Sequence, residues 1–577
     1  MKIQIKNTII VLVCLMTFTF SCTDDFIDLQ KNPNAFTPEN VTPSFLLADV
    51  ISASVLDPGM HQRMTQLTND VFAQYWANEA FSTQQGVTND EWVSSFYSSY
   101  HSRFVANLSE GIRLGRASAA AGKPLNETQI ARIWKVWVFS RATDIWGDIP
   151  YFGAADGTGE NPVYDDQQDI YTDMLKELSE AVDSLSTDNP VQISGQDYVY
   201  DDDIAKWKKF GNSLRLRLAM RISEADPALA QQHAEAAIAH PSGVFASAED
   251  ECKVTRTATF GWGFQYPYTF YYGWGGLHMS RSMENLLTGL GGQPIAIDTT
   301  GMIVDDEGFD LPSNENSLDP KANKFRLGVP SVVDPRGPIY FSPAVGAEEV
   351  KVANAAGDTV TVDTRNRWIG VPAGLSTGNS ALAEHVYTNI SIMGPTMSTD
   401  AERPLEILTY HELCFLMAEA AQRGWNAGGT AKDWYEAGIA ASMAHHGVDA
   451  ATTAAYIASS DENTYGTTVA FDNNSGKSFN GTAVDDAMSK IITQKYLALF
   501  PDGGWEAWAD HRRLHLPVLI PMAAPDARYT ARDGGPDNFT KRITYPSTEQ
   551  INNNEYYEAA VESQGADVET TSVWWDQ

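Results

Sequence analysis

Residues 131–147, Ala-Arg-Ile-Trp-Lys-Val-Trp-Val-Phe-Ser-Arg-Ala-Thr-Asp-Ile-Trp-Gly, constrain the fold more than any other stretch. As a helix this segment is apolar over most of its circumference, and such a helix needs other elements covering it on nearly every side. The chain must therefore build a scaffold of helices around it. Residues 168–186 offer one partner, with Ile170, Met174, Leu178, Ala181, Val182 and Leu185 at helical spacing. Residues 204–223 offer another, with Trp207, Phe210, Leu214, Leu218 and Ile222 on one face. Arg215, Arg217 and Arg221 lie among those side chains and must find carboxylate or carbonyl partners. Residues 404–447 read as two helices joined by a Gly-rich turn, with Ala418, Ala420, Ala421, Ala437, Gly438, Ala440 and Ala441 allowing close approach. Helical stretches follow at about 484–500 and 504–513.

These features predict a mostly α fold. Small residues and bulky aromatics in helical hairpins suggest a degenerate tetratricopeptide-like scaffold of about four pairs, with little β structure. Residues 241–400 and 450–480 are rich in Gly, Ser, Asn, Thr and Pro, and read as long insertions carried on that scaffold. Short β-like runs occur at Val350–Val352 and Thr359–Val362. The expected organisation is one domain over 22–577. Its scaffold lies mainly at 40–240 and 400–515, and a loop-rich, ligand-facing insertion at about 241–400. Loops held on a rigid frame are where binding usually resides. The last 60 residues read as largely irregular, ending in Trp574-Trp575-Asp576.

The N-terminus reads as an export signal over residues 1–21. Lys2 and Lys6 precede an uncharged, mostly apolar run from Ile9 to Phe20, which ends at Ser21-Cys22 and turns polar at Thr23-Asp24-Asp25. A small residue and then Cys at this position resembles a lipoprotein processing site, so Cys22 is expected to carry lipid and to be the sole membrane attachment. The competing reading is ordinary cleavage near Ser21, with Cys22 incidental. No later stretch approaches the ~20 apolar residues of a membrane-spanning helix.

Charge and motifs narrow the function further. The 40 Lys and Arg face 74 Asp and Glu, an acidic excess that argues against nucleic acid as a partner. Four scattered cysteines make neither a disulfide framework nor a Cys-based zinc site. Gly374-Leu375-Ser376-Thr377-Gly378 matches the nucleophile-elbow pattern, but Pro372 spoils the strand that must precede it. His411-Glu412 opens like a zinc-protease motif, yet position 415 is Phe where the second His is needed. His445 and His446 are adjacent, so on a helix they point about 100° apart and cannot chelate one ion together. Asp144 with Asp148, and Glu506 with Asp510, are carboxylate pairs of the kind glycosidases use, although capping and Arg pairing explain the first pair better. No catalytic centre and no cofactor emerges. Acidic runs at Asp201-Asp202-Asp203 and Asp305-Asp306-Glu307 leave calcium open.

Aromatic segments are more informative. Residues 262–274 hold eight aromatics broken by Gly and Pro, outside any amphipathic pattern. An earlier set comprises Tyr75-Trp76, Trp92, Phe96 and Tyr97. Flat rings at a loop surface stack on sugars or grip apolar peptide side chains, and rings in a core do neither. The expected ligand platform is Trp262, Tyr266, Tyr271 and Trp274, helped by Trp92.

Several dispersed segments together resemble the SusD/RagB-like outer-membrane lipoproteins of Bacteroidetes, in the SusD-like branch. They include Asp144-Ile-Trp-Gly-Asp-Ile-Pro-Tyr151, Tyr164-Asp-Asp-Gln-Gln-Asp-Ile-Tyr171, and the run from Trp207 to Arg221. Asp334-Pro-Arg336, Gly370-Val-Pro-Ala-Gly374, Trp508-Ala-Asp-His-Arg-Arg513 and Tyr545-Pro-Ser-Thr-Glu-Gln550 follow in order. The resemblance implies a surface lipoprotein without catalytic activity. Such a protein lids a SusC-like TonB-dependent transporter and captures nutrient, typically glycan and sometimes peptide. A surface glycoside hydrolase and a purely structural lid are the rival readings.

Overall fold

The computed structural model describes residues 41–576 apart from 56–57, 78–80, 159–160, 190–196, 256–276, 293–308, 311–323, 326–331, 344–349, 354–358, 363–367, 372, 375–391, 395–396, 398, 480 and 523–538. Helices dominate it. In the N-terminal half these are α1 (Pro43–Ser54), α2 (Asp90–Ser99), α3 (Ala106–Ala120), α4 (Asn126–Trp146), α5 (Gln167–Ser184), α6 (Ile204–Arg221) and α7 (Pro227–Ile238). After α8 (Arg281–Leu287) come α9 (Tyr410–Gln422), α10 (Ala431–His445), α11 (Ala450–Ile457), α12 (Ala487–Ala498) and α13 (Gly504–Leu514). The chain closes with α14 (Ser547–Asn552) and α15 (Asn554–Gln564).

The all-round apolar segment is α4, and it is enclosed as its sequence requires. Trp134 and Trp146 are fully buried, and α1, α3, α5 and α6 all pack against it. It stops at Gly147, whose φ of 83° suits glycine, and a Cβ there would collide with the Gln564 side chain. Local signals set the other starts. Asp203 accepts the N–H groups of Ala205 and Lys206 to begin α6, and Asp226 with Pro227 begins α7. Thr430 and Asp433 form a reciprocal capping box at α10. The close approach of α9 and α10 is real: a Cβ on Gly438 would lie 2.8 Å from the Phe415 ring.

Consecutive helices pack as pairs, α4 on α5, α6 on α7 and α9 on α10, around one continuous apolar core. Two stretches widen into π-helix, Gln62–Asn69 and Tyr100–Val105, the second linking α2 and α3 into one rod. Strands are short. A four-stranded antiparallel sheet runs in the order β1 (Trp76–Ala77), β3 (His278–Met279), β9 (Ile392–Met393), β6 (Phe341–Ser342). Four two-stranded ribbons accompany it: β2 (Cys252–Val254) with β10 (Leu405–Leu408), β4 (Phe309–Asp310) with β5 (Lys324–Phe325), β7 (Val350–Ala353) with β8 (Thr359–Val362), and β11 (Ser478–Phe479) with β12 (Thr482–Ala483).

Three stretches depart from expectation. Leu405–Leu408 form strand β10 rather than the start of a helix. Residues 450–457 form helix α11 inside a region read as insertion, and the following loop buries Tyr465, Val469 and Phe479 against the scaffold. The C-terminal region carries two helices, α14 and α15, where irregular chain was expected.

Candidate functional site

The three arginines of α6 find their partners through space. Arg217 donates from Nε and Nη2 to the Glu412 carboxylate at 2.8 and 2.5 Å, and from Nη2 to the Ile407 carbonyl at 2.8 Å. Arg221 donates to Asp144 at 2.8 Å and also pairs with Glu506. Arg215 donates from Nε to His233 Nδ1 at 3.0 Å. Next to this set, Arg513 makes a two-pronged pair with Glu419 at 2.6 Å, and Lys495 meets Asp510 at 2.8 Å. Burial alone would raise the Asp510 pKa, but Lys495 and Arg513 outweigh it and hold the carboxyl well below its usual range.

This geometry answers the question of paired carboxylates. Asp144 accepts from Arg221, from the Tyr171 hydroxyl and from Trp575 Nε1, while Asp148 accepts the Gln167 N–H at 2.9 Å. Glu506 is held by Arg217 and Arg221, and Asp510 by Lys495 and Arg513. Each of the four is engaged in holding the scaffold together, which leaves neither pair arranged across a cleft as glycosidic cleavage requires. Among the described residues no cluster of three or more His, Cys, Asp or Glu is arranged to hold a metal ion. Of the acidic runs, Asp203 is the N-cap of α6, and 305–307 lie outside the described residues.

Trp262, Tyr266, Tyr271, Trp274 and Cys22 also lie outside the described residues. What the structure does fix is the pairing of the strands that flank the aromatic segment in sequence. On its N-terminal side, β2 is paired to β10, and on its C-terminal side, β3 is paired to both β1 and β9. Ala77 of β1 lies opposite His278 of β3. Phe81 is four residues on from Ala77, so its backbone is within about 14 Å of that pairing.

Trp92 sits in the first turn of α2, with its N–H bonded to the Asn89 cap, and is only 9% exposed. The sequence reading gave it a place beside the ligand platform, but the structure packs its ring edge-on against Phe81, at 5.2 Å between centroids. Phe81 is 38% exposed and is the ring of that pair facing solvent; the sequence reading did not name it. The other early aromatics, Tyr75, Trp76, Phe96 and Tyr97, are all buried, with Tyr75 donating to the Tyr496 carbonyl at 2.7 Å. They are core rings. The cue was present in Asn89-Asp90-Glu91, which reads as a helix start directly ahead of Trp92.

Fold and site together define a helical-scaffold protein in which buried Arg–carboxylate pairs such as Arg217–Glu412 and Arg513–Glu419 hold the helices together. The chain belongs to the SusD/RagB-like family of outer-membrane lipoproteins. Its residues 33–290 match the SusD-like family described as "Starch-binding associating with outer membrane", and residues 332–576 match "Susd and RagB outer membrane lipoprotein". Among solved structures, a SusD homologue from Parabacteroides distasonis is similar at 29% identity and a TM-score of 0.77, over 93% of this chain and 98% of that one. A chitin-binding SusD homologue from Flavobacterium johnsoniae is similar at 25% identity and a TM-score of 0.68, over 92% and 98% of the two chains. A homologue from Bacteroides vulgatus shares the fold at 24% identity and a TM-score of 0.70, over 92% and 97%. None of the curated proteins matches the chain.

Proposed function

We propose that this protein captures glycan at the cell surface and passes it, chemically unchanged, to a SusC-like TonB-dependent transporter. The observation that supports the reading is the aromatic segment 262–274, which in sequence falls between strands β2 and β3 and carries no helical stripe. Aromatic rings stack on sugar faces, and a strongly acidic protein favours a neutral ligand over an anionic one. The starch-binding description of the family and the chitin-binding relative point to the same ligand class.

The test uses the purified chain with chitin oligosaccharides and with soluble starch. Binding by calorimetry or affinity electrophoresis is expected for one of them, without turnover. Trp262→Ala and Trp274→Ala should each weaken that binding about tenfold, the equivalent of about 1.4 kcal/mol, with folding intact. Turnover of either glycan would favour a hydrolase. Absence of binding to both, with retained transporter association, would favour a structural lid.

Lipidation at Cys22 is part of the same proposal. Cys22→Ala is expected to shift the protein from the membrane fraction to the soluble fraction in cells lacking the transporter. A variant that still pellets with outer membranes there would show that something other than an acyl chain anchors it.

A further inference from the structure

A cavity of about 50 Å³ lies where α4, α6, β10 and the start of α13 meet, with Thr65 of the π-helical stretch on its wall. Trp137, Arg141, His411, Asp502 and Trp505 also line it. We propose that this cavity binds a small carboxylate, with the Arg141 guanidinium as its anchor and the His411 imidazole as a second donor. The site is built from residues of the helical scaffold and of β10.

The argument begins with Arg141. Its guanidinium carbon is 4.0 Å from the centroid of the Trp505 ring and 5.0 Å from that of Trp137. Two indoles cover the faces of a planar cation and leave its N–H edge free, which is the edge that meets a carboxylate fork to fork. Among the described residues that edge has neither a hydrogen bond nor an ion pair. Burial lowers the Arg141 pKa to about 10, so the group is still charged at neutral pH.

The other charges around the cavity are matched. Arg217 is taken by Glu412 and Glu506, and Glu506 also by Arg221. Glu406 faces His445 at 3.1 Å and Lys253 at 3.6 Å, and Asp502 accepts the Glu406 N–H at 3.2 Å. The charge without a close partner is therefore positive, which selects an anion over a cation.

His411 supplies the second, independent observation. It is 1% exposed, yet neither ring nitrogen has a partner among the described residues. A fully buried, unpartnered imidazole costs free energy unless something polar occupies the cavity beside it. Burial pushes its pKa down to about 3, so at neutral pH it is uncharged and offers one N–H and one lone pair. Size sets the class of anion. A volume of about 50 Å³ takes roughly three to five water-sized occupants, which fits a carboxylate of acetate size and is too small for a sugar acid.

The test is a titration of the full chain at pH 7 with sodium acetate against sodium chloride at matched ionic strength. It is read by thermal unfolding and by saturation transfer to the acetate methyl resonance. Acetate is expected to raise Tm saturably, with transfer to the methyl signal, and chloride to do neither. Arg141→Lys keeps the charge but loses the fork, so it should weaken acetate at least tenfold, and Arg141→Met should abolish the effect. Glucuronate should have no effect. Absence of saturable acetate binding, or equal acetate effects in wild type and Arg141→Lys, would overturn the assignment and leave a cavity that holds water only. Glucuronate binding as well as acetate would overturn the size argument.

Discussion

Trp575→Ala is expected to destabilise the protein by about 3–5 kcal/mol, the usual cost of emptying a fully buried indole site. The side chain has no exposed surface. Its Nε1 donates to Asp144 Oδ1 at 2.9 Å, and its ring lies under two guanidiniums, Arg512 at 4.4 Å and Arg221 at 5.2 Å. Arg512 is sandwiched further, 3.8 Å from Trp508, and donates to the carbonyls of Asp144 and Lys541 at 2.7 and 2.9 Å. Removing the indole therefore takes away apolar burial, one donor to a buried carboxylate, and an aromatic face from each of two buried cations. Trp574, half-buried and 6.2 Å from Tyr171, serves as the control and should cost less than about 2 kcal/mol. Urea unfolding of both variants decides the matter. Equal losses for the two would mean that Trp575 contributes burial alone and that the network does not depend on it.

How much of this was readable in advance follows from the range of the interactions involved. Helix α4 was legible because an all-round apolar pattern has a single physical solution; its end came within one residue, and its start lies five residues earlier than the apolar run. The need of Arg217 and Arg221 for partners was legible for the same reason. Their identity was not, because Glu412 and Glu506 lie 195 and 285 residues further along the chain. Strand β10 was read as helix because Pro404-Leu405-Glu406-Ile407-Leu408 is too short to show a period, and its pairing with β2 reaches back across the whole insertion. Helices α14 and α15 were missed because they sit on the surface: α14 has no buried residue, and α15 buries only Tyr557 and Ala560.

The candidate site shows the same division. Trp92 and Phe96 belong to a capped helix whose start was written in the sequence, so composition misled where local structure would have served. Phe81 could not be singled out, because an exposed phenylalanine in a polar stretch carries no pattern. Arg141 and Trp137 read as members of a core helix, and only the arrival of Trp505 from another helix turns them into a cationic pocket. Patterns within one element reveal what must be buried. They do not reveal which distant residue completes a site.

Mild acid is expected to destabilise the protein steeply, by several kcal/mol between pH 7 and pH 5. Five histidines whose pKa burial lowers carry the effect, among them His101, lowered to about 4, and His446, lowered further still. Burial, helped by the Arg215 guanidinium, lowers the His233 pKa to about 4, while burial lowers His411 and His511 to about 3. The Arg215 contact opposes protonation, because His233 Nδ1 already accepts from it, whereas the Pro517 carbonyl facing His511 Nδ1 favours the protonated ring and is outweighed by burial. In the unfolded chain each titrates near 6.5, so below that pH the unfolded state binds protons that the folded state refuses. The stability these groups allow is complete above about 6.5 and is lost as pH falls toward their folded values. At pH 5 each histidine costs about 2 kcal/mol. Asp148 opposes them, because burial raises its carboxyl to about 6, and its protonation returns roughly 1.4 kcal/mol by pH 5. Carboxylates held low by cations, such as Asp510 and Glu419, lose their pairing only below about pH 4 and do not enter this window. Urea unfolding at pH 7, 6 and 5 measures the slope, and His511→Asn should make it shallower by about one fifth. A flat profile from pH 7 to 5 would mean that these imidazoles gain protons without penalty, and the burial argument would fail.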